Sequence, residues 1–343
     1  MMKRAAVLIV LMCSFAPAFA AGQERQEFAG YKEMRAHLGE LFQQKKYAEA
    51  AALLESVLDR FPENILANTF NLAYARVLLG DPVKAVEALE EGHRRGVFYG
   101  LWDFMAAAWD PLRDLPGFRA FLEANEARIK EAQAKAAMTM EVVTPEGYDP
   151  AKKYPLFIAL HGGGETMADF KPVWTSARLR AEFITVYVQS SQVANMRGFH
   201  WQDAALTRRD VRAAYERVLA AYPVDAGRTV VGGFSSGGYA SLVAAFGDTV
   251  PARGFIALCP VVPDAIGDED ILAAKSRGLR GTLLTTELDN RVEAQRAFVE
   301  RLEKHGLKAV FRLTPNIGHW YPKDFETLLD EAIGFVLAAG KSD

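Results

Sequence analysis

The sequence predicts an α/β protein with a mostly parallel sheet, preceded by an all-α helical repeat domain. Two observations support this fold class. Between residues 139 and 313, seven apolar runs alternate with amphipathic helical patterns, which is typical of parallel strands with helices on both faces of the sheet. Residues 31–135 instead have helical periodicity almost throughout, and two of their segments align at an offset of 35 residues, so that Ala50 matches Ala85.

The helical part of the chain resembles a tetratricopeptide array. Residues 45–62 follow the second half of such a repeat, and residues 71–85 are similar to the first half and turn of the next. We expect a third, degenerate unit over residues 100–135. Its aromatic residues should pack against the second domain or cap the stack, and they are Trp102, Phe104, Trp109, Phe118 and Phe121. Such arrays often bind a peptide in a concave groove. A protein or peptide partner is therefore one expectation, and a packing or dimerisation role is the other.

The sequence pattern of the second part of the chain predicts a sheet and the helices that cover it. Strands are expected near residues 139–144, 155–161, 183–188, 228–234, 254–259, 281–286 and 308–313. Helices are expected near residues 168–181, 205–221, 236–247, 291–305 and 324–339. Ligands of open parallel sheets bind at the carboxyl ends of the strands. Residues that directly follow a strand are therefore the candidates for function.

A G-x-S-x-G motif follows the strand near 228–234. The five residues Gly233-Phe-Ser-Ser-Gly237 stand between that apolar run and a helical pattern of small residues. Strand, sharp turn and helix form the context of a nucleophile elbow, in which the serine hydroxyl is exposed above the sheet edge. Glycine at 233 and 237 removes side chains that would collide in so tight a turn. Ser235 is therefore the candidate nucleophile.

A serine hydroxyl becomes a strong nucleophile when a histidine accepts its proton, and the histidine follows the serine and the acid in this context. Two histidines follow Ser235 in the chain. His305 stands at a helix C-terminus closed by glycine, where a cationic side chain suits the helix dipole. His319 lies in a loop directly after a strand, so it is the candidate base.

The acid that orients the base should follow the preceding strand. Asp289 is the first choice, because it lies shortly after the strand near 281–286. Glu287 is nearer the end of the same strand and is the first alternative. Asp264, after the strand near 254–259, is the second alternative.

Backbone N–H groups that would stabilise an oxyanion are predicted in two loops. One donor should come from Ser236, the residue after the nucleophile. The other should come from His161-Gly-Gly-Gly164, which follows the strand near 155–161, with Gly163 as the first choice and Gly164 as the next. His161 itself is expected to support this loop by hydrogen bonding.

Aromatic residues are expected to form a wall beside the nucleophile. They follow two of the strands and are Phe199, His200, Trp201, Trp320 and Tyr321. Of these, Trp201 and Trp320 are the predicted substrate contacts. The alternative is that these aromatic rings fill a small core.

The motifs resemble those of secreted α/β-hydrolase esterases, which include carboxylesterase/phospholipase-like and polyhydroxybutyrate-depolymerase-like enzymes. The resemblance covers about residues 140–340 and is carried by the lead-in 144–162 and by the blocks around Ser235 and His319. It implies a Ser–Asp–His triad and a small or polymeric ester as substrate. The residues around Asp289 differ from the pattern of this family. The family usually has a glycine shortly before the aspartate, where this chain has Thr286 and Glu287.

The leading hypothesis is thus a serine esterase that forms an acyl-enzyme and needs no metal or organic cofactor. A peptidase or amidase is an alternative, because the same triad cleaves amides. A scaffold protein with an inert hydrolase domain and partner-binding repeats is the alternative from another class. An intact set of serine, acid, histidine and glycine loop argues against it.

Composition and the N-terminus indicate an exported protein. The net charge is −3 and no basic stripe is present, which excludes a nucleic-acid footprint. Residues 1–20 have a basic start, an apolar centre and an A-x-A cleavage site, so they are expected to be a signal peptide. The mature protein, with domains at 21–138 and 139–343 and no membrane span, would be periplasmic or secreted. Cleavage of the signal peptide would remove Cys13, so Cys259 would then have no partner for a disulfide within the chain.

Overall fold

The structure is a computed structural model that describes residues 28–338, so the expected signal peptide at 1–20 lies outside the described residues. The helices are α1 (Tyr31–Gln43), α2 (Tyr47–Val57), α3 (Ile65–Leu78), α4 (Pro82–Arg94), α5 (Pro116–Lys135), α6 (Met167–Phe170), α7 (Ala177–Glu182), α8 (Ala204–Ala221), α9 (Ser236–Phe246), α10 (Asp268–Ser276), α11 (Val292–Lys304) and α12 (Phe325–Leu337). The strands are β1 (Thr139–Val143), β2 (Tyr154–Leu160), β3 (Ile184–Gln189), β4 (Gln192–Asn195), β5 (Gly198–His200), β6 (Val224–Phe234), β7 (Ala252–Leu258), β8 (Arg280–Thr286) and β9 (Lys308–Thr314).

The first four helices pack side by side around their own apolar core. Small side chains let them approach closely, and Ala50, Ala73 and Ala85 are fully buried. The turn between α3 and α4 follows from local chemistry. Gly80 takes a left-handed conformation with φ of +75°, and the Asp81 carboxylate then accepts a hydrogen bond from a backbone N–H in the first turn of α4.

The expected third repeat unit is a cap made of short 3₁₀ turns and α5. Its rings pack on one another and on the side chain of Phe70 from α3, and the rings are Phe104, Trp109, Phe118 and Phe121. Asn125 of α5 is fully buried inside this cap. Its side-chain amide accepts from the Tyr99 N–H and donates to the Tyr99 carbonyl, both at 2.8 Å. Trp102 is the exception among the predicted aromatic residues, because it points away from this core.

The seven-stranded sheet has the order β1-β3-β2-β6-β7-β8-β9. β1 pairs antiparallel with β3, and every other neighbouring pair is parallel. Two apolar clusters cover its two faces, one formed with α8–α11 and the other with α6, α7 and α12. Because the parallel strands all end at one edge, the loops after β2, β6, β8 and β9 meet there.

Three local features differ from the sequence-based expectation. The loop 189–204 contains the hairpin β4–β5, whose strands are too short to give a periodic signal. The segment between β7 and β8 contains α10, which the sequence analysis left unassigned. The helix expected near 168–181 is split into α6 and α7.

The β4–β5 hairpin joins the helical region to the sheet region. Gln133 of α5 donates to the Ser191 carbonyl at 2.7 Å and accepts from the Val193 N–H at 2.9 Å, so its amide extends the edge of the hairpin. At the tip of the hairpin, the Met196 N–H donates to the Phe98 carbonyl at 3.2 Å. The boundary expected at residue 138 falls between α5 and β1. Within residues 28–338, no helix is both long and apolar enough to cross a bilayer.

Asn125→Ala should destabilise the helical region by about 2–3 kcal/mol, because it leaves the buried N–H and carbonyl of Tyr99 without partners. Urea unfolding followed by far-ultraviolet circular dichroism measures this change. Glu126→Ala is the control, since this neighbour on α5 is exposed and should change stability by less than about 0.5 kcal/mol. Equal effects of the two substitutions would contradict the role given to Asn125.

Candidate active site

Ser235 occupies a strained turn between β6 and α9. Its φ of +54° and ψ of −110° lie in a region that non-glycine residues rarely adopt. Only glycine fits two residues before Ser235 and two residues after it. A Cβ on Gly233 would lie 2.4 Å from the Gly237 backbone, and a Cβ on Gly237 would lie 2.0 Å from the Leu160 carbonyl oxygen. The Ser235 N–H donates to the Leu258 carbonyl at 2.8 Å, which ties the turn to β7.

A chain of two hydrogen bonds joins Ser235 to His319 and Asp289. His319 Nε2 lies 2.8 Å from the Ser235 Oγ, and His319 Nδ1 lies 2.6 Å from Asp289 Oδ2. With a carboxylate at Nδ1, the neutral ring carries its proton there and accepts the serine hydroxyl at Nε2. The structure thus brings together the three residues that the sequence selected from three separate loops.

The geometry favours Asp289 over both alternatives for the acid. The Asp289 side chain is fully buried against His319. Burial alone would raise the pKa of its carboxyl, but hydrogen bonds from His319 and the Arg291 N–H outweigh burial and hold that pKa below its ordinary value. Glu287 is exposed and its carboxylate accepts from the Asn316 N–H at 2.8 Å. Asp264 is exposed, and it lines a pocket of about 370 Å³ beside α11 without a hydrogen bond to His319.

Two residues that the sequence analysis did not identify hold the candidate base and acid in place. The Thr286 hydroxyl donates to the Gly318 carbonyl at 2.6 Å, next to His319. Arg291 lies across the imidazole, with its Nη2 at 3.0 Å from Nδ1, and its Nε is 3.3 Å from Asp289 Oδ1. Phe234 stacks on the ring at a centroid distance of 5.0 Å. Thr286 is the last residue of β8 and Arg291 follows Asp289 in the next loop, and neither belongs to a motif, so the sequence gives no signal for either of them.

The glycine loop after β2 has one N–H available for an oxyanion. The Gly162 N–H donates to the Glu165 carboxylate at 2.9 Å, and the Gly164 N–H donates to the Phe199 carbonyl at 2.8 Å. Among residues 28–338, the N–H groups of Gly163 and Ser236 have no acceptor. The geometry therefore fits Gly163 and Ser236 as the donor pair, while the predicted alternative Gly164 already donates its N–H to the β4–β5 hairpin.

His161 and Trp201 form a buried support beneath this loop. His161 Nδ1 donates to the Gly162 carbonyl at 2.7 Å, and Nε2 accepts from the Ser190 N–H at 3.1 Å. Trp201 Nε1 donates to the His161 carbonyl at 3.1 Å, and its backbone N–H donates to the Ser236 Oγ at 2.7 Å. Trp201 is only 1% exposed, so it lies in the core and not in the substrate wall that the sequence predicted.

Three exposed apolar side chains lie in the loops that follow β7, β8 and β9. Trp320, the other predicted substrate contact, is 61% exposed beside His319, and its ring stands edge-on to Phe234 at 6.2 Å. Exposed Leu288 and Val261 belong to the loops after β8 and β7. Exposed apolar side chains around a polar centre are typical of sites that bind apolar groups of a ligand.

Cys259 lies close to the acid and base, so the three side chains have ligand atoms within 4.8 Å of one another. A metal at this point would have to replace the hydrogen bond between Asp289 and His319. Burial raises the pKa of the Cys259 thiol to about 11, so the sulfur of the metal-free protein is protonated at neutral pH. The arrangement fits proton transfer better than metal binding.

Comparison with known proteins supports the fold. A family described as Tetratricopeptide repeat matches residues 41–95. No curated protein sequence is detectably similar to the chain. Among solved structures, an uncharacterized protein from Bacillus cereus ATCC 10987 is similar over 90% of this chain and 98% of its own, with 22% identity and a TM-score of 0.50.

Two further solved structures are similar to a part of the chain. The thermophilic esterase Est2 from Thermogutta terrifontis is 15% identical over 60% of this chain and 90% of that one, with a TM-score of 0.46. Dipeptidyl peptidase 4 from Porphyromonas gingivalis is 17% identical over 58% of this chain and 33% of that one, with a TM-score of 0.45. The predicted fold class is confirmed, namely an α/β-hydrolase fold with a mostly parallel sheet after a helical repeat region.

The stability of the protein should fall as the pH falls from about 6.5 towards 4, in part because of His161. Burial lowers the pKa of His161 from 6.5 to about 4, so below pH 6.5 the unfolded chain binds a proton that the folded chain does not. That proton costs about 1.4 kcal/mol of stability for each pH unit in this window. Urea unfolding at several pH values measures the slope.

His161→Gln is the matched variant, because an amide can still donate to Gly162 and accept from Ser190 without titrating. The free energy of unfolding of this variant should depend less steeply on pH between 6.5 and 4 than that of the parent. Parallel curves would contradict the assignment of the buried neutral ring. Burial also lowers the pKa of His93 and of His200, and both residues are present in the parent and in the variant. Their contributions to the pH dependence of stability therefore cancel when the slopes of the two proteins are compared.

Proposed function

We propose that this protein is a serine hydrolase that cleaves carboxylic esters through an acyl-enzyme intermediate. The observation that carries this proposal is the hydrogen-bonded chain from Ser235 Oγ through His319 to Asp289. A nucleophile bonded to a base, and a base bonded to an orienting acid, form the arrangement that activates a serine. The strained turn at Ser235 supports the same assignment, because backbone strain concentrates where function requires it.

In the first half of the reaction, the Ser235 Oγ attacks the carbonyl carbon and its proton passes to His319 Nε2. The π electrons of the carbonyl move to its oxygen, which the N–H groups of Gly163 and Ser236 stabilise. The tetrahedral intermediate then re-forms the carbonyl and breaks the bond to the alcohol oxygen. That oxygen takes the proton from His319 Nε2, so an alcohol leaves and an acyl-enzyme remains.

In the second half, water takes the place of the alcohol. Its oxygen attacks the acyl carbon while His319 Nε2 accepts one of its protons. Collapse of the second intermediate breaks the bond to Ser235 and returns the proton to Oγ, and a carboxylic acid is released. Asp289 stabilises the imidazolium in both halves and keeps Nδ1 as the donor.

The surroundings of Ser235 favour an ester as the substrate. The segment between β7 and β8 is short and holds only α10, so this segment does not form a large lid over the carboxyl edge of the sheet. Exposed Trp320 and Leu288 offer apolar surface for an apolar alcohol group of an ester. The same triad chemistry acts on amides, so the test must include both substrate types.

Substitutions in the triad should separate the acid from its neighbour. We expect Ser235→Ala and His319→Ala to lower kcat for p-nitrophenyl acetate by about 10⁴-fold or more, because each removes a group that acts in the transition state. Asp289→Asn should cost about 10⁴-fold, since it reverses the hydrogen bond that fixes the ring. Steady-state kinetics on folded variants measures these losses.

Glu287→Gln is the control for the acid. Its side-chain oxygen can still accept from the Asn316 N–H, so kcat should stay within about 3-fold of the parent, a change of less than 1 kcal/mol. A large loss in Glu287→Gln together with an active Asp289→Asn would show that the acid is misassigned.

The ester preference is tested with matched substrates. We expect kcat/KM for p-nitrophenyl butyrate to exceed that for butyryl p-nitroanilide, which has the same acyl group, by at least about 10³-fold, or about 4 kcal/mol in activation free energy. Ser235→Ala should remove both activities if they share one site. Comparable values for the ester and the anilide would favour a peptidase or amidase and overturn the ester assignment.

A further inference from the structure

One aromatic residue of the helical region leaves that region's core and reaches the candidate active site. The 3₁₀ turn Leu101–Phe104 directs Phe104 into the helical cap, where it is 3% exposed. Trp102, two residues earlier, turns to the opposite side and faces His200 of β5 at a ring-centroid distance of 5.7 Å. The turn can fold back this tightly because residue 100 is glycine, where a Cβ would lie 2.6 Å from Trp102 Nε1.

The indole of Trp102 fills the space where a side chain on Gly163 would lie. A Cβ on Gly163 would be 2.4 Å from Trp102 Cη2 and 3.2 Å from its Cζ3, and the three atoms nearest to that Cβ all belong to this ring. Gly163 is the residue of the glycine loop whose N–H is left available for an oxyanion. The helical region therefore contacts the site at one of the two residues whose N–H groups are available for the carbonyl oxygen of a substrate.

The contact is held from both sides by the β4–β5 hairpin. On one side, Phe199 of the hairpin pairs with the glycine loop, since it accepts from Gly164 at 2.8 Å and donates to the Glu165 carbonyl at 3.0 Å. On the other side, the hairpin binds the helical region through Gln133 and Phe98. Because both partners are fixed to one element, the indole has little freedom to move away from the loop.

The position of Trp102 determines which part of an ester it would meet. The oxygen of the leaving alcohol must lie near His319 Nε2, which has to return a proton to it. The ring of His319 is flanked by Phe234 and Arg291, whereas Trp102 approaches from the helical region against Gly163. In the proposal that follows, the acyl group, which extends away from the leaving oxygen, is the part of the ester that meets Trp102.

We propose that Trp102 is a specificity-determining residue. Through this residue the helical region forms a wall on the acyl side of the cleft, so that the cleft accepts only short acyl chains. This inference rests on the proposed esterase function. It gives the helical region a role in catalytic specificity, beyond packing or the binding of a partner.

The first test is a series of p-nitrophenyl esters from acetate to octanoate, with the full chain and with Trp102→Ala. The variant should raise the ratio of kcat/KM for octanoate to that for acetate by about 10-fold or more, mainly through a lower KM for octanoate. Trp102→Phe should fall between the two. Met105→Ala is the control, because this side chain follows the same turn but is 75% exposed, and its chain-length profile should match the parent.

The second test measures the contact itself by a double-mutant cycle. Gly163→Ala should lower kcat/KM for acetate, because the added methyl group collides with the indole and displaces the loop or the ring. In the Trp102→Ala background the same substitution should cost at least about 5-fold less, since the nearest obstructing atoms are gone. Thermal unfolding of all four proteins identifies any effect that comes only from lost stability.

The outcomes distinguish this inference from the function on which it rests. The role of Trp102 would be overturned if the parent is active and Trp102→Ala leaves its chain-length profile unchanged. It would also be overturned if the effects of Trp102→Ala and Gly163→Ala on kcat/KM are additive. Either result would leave the esterase assignment intact. A uniform loss on all esters with a lower melting temperature would also overturn the role of Trp102, in favour of a structural role. A parent that hydrolyses no ester in the series would overturn both.

Discussion

The left-handed backbone at Ser235 is the constraint on which the rest of the site depends. It directs the hydroxyl out of the sheet edge, and it exists only because Gly233 and Gly237 leave room for the turn. The parallel pairing of β6 with β2 and β7 then fixes the turn among its neighbours. Without that pairing, the loops that carry the base, the acid and the oxyanion donors would have no common point to meet.

A second set of contacts makes the site rigid without touching a substrate. The buried ring of His161 and the indole of Trp201 hold the backbone on which Gly163 and Ser236 lie. Their hydrogen bonds connect the glycine loop, the nucleophile turn and the β5 end of the hairpin. Preorganised donors are effective because the protein does not have to reorient them as charge develops. The same hairpin carries the helical region, so the two parts of the chain share one support.

Much of this arrangement follows from sequence patterns, and the exceptions have physical causes. Strand–helix alternation is enough to predict the sheet. The positions of Ser235 and His319 directly after strands are enough to predict two of the three residues that are joined by hydrogen bonds in the site. The acid was less certain, because Glu287 and Asp289 follow one strand and only tertiary contacts show which of them faces the histidine. For Trp201 the sequence cannot distinguish a place in the cleft from a place in the core, because an aromatic residue after a strand gives no sign of whether it points inward or outward. The approach of Trp102 to Gly163 joins residues 61 positions apart, which no local pattern can reveal.

The most direct test of the central claim is whether Ser235 is an activated nucleophile. Purified protein would be treated with a fluorophosphonate and the adduct located by mass spectrometry, with Ser235→Ala and His319→Ala as matched variants. The account predicts one adduct, on Ser235, that is absent from Ser235→Ala and forms far more slowly in His319→Ala. A folded protein that acquires no adduct, or one that is labelled at the same rate without His319, would contradict it.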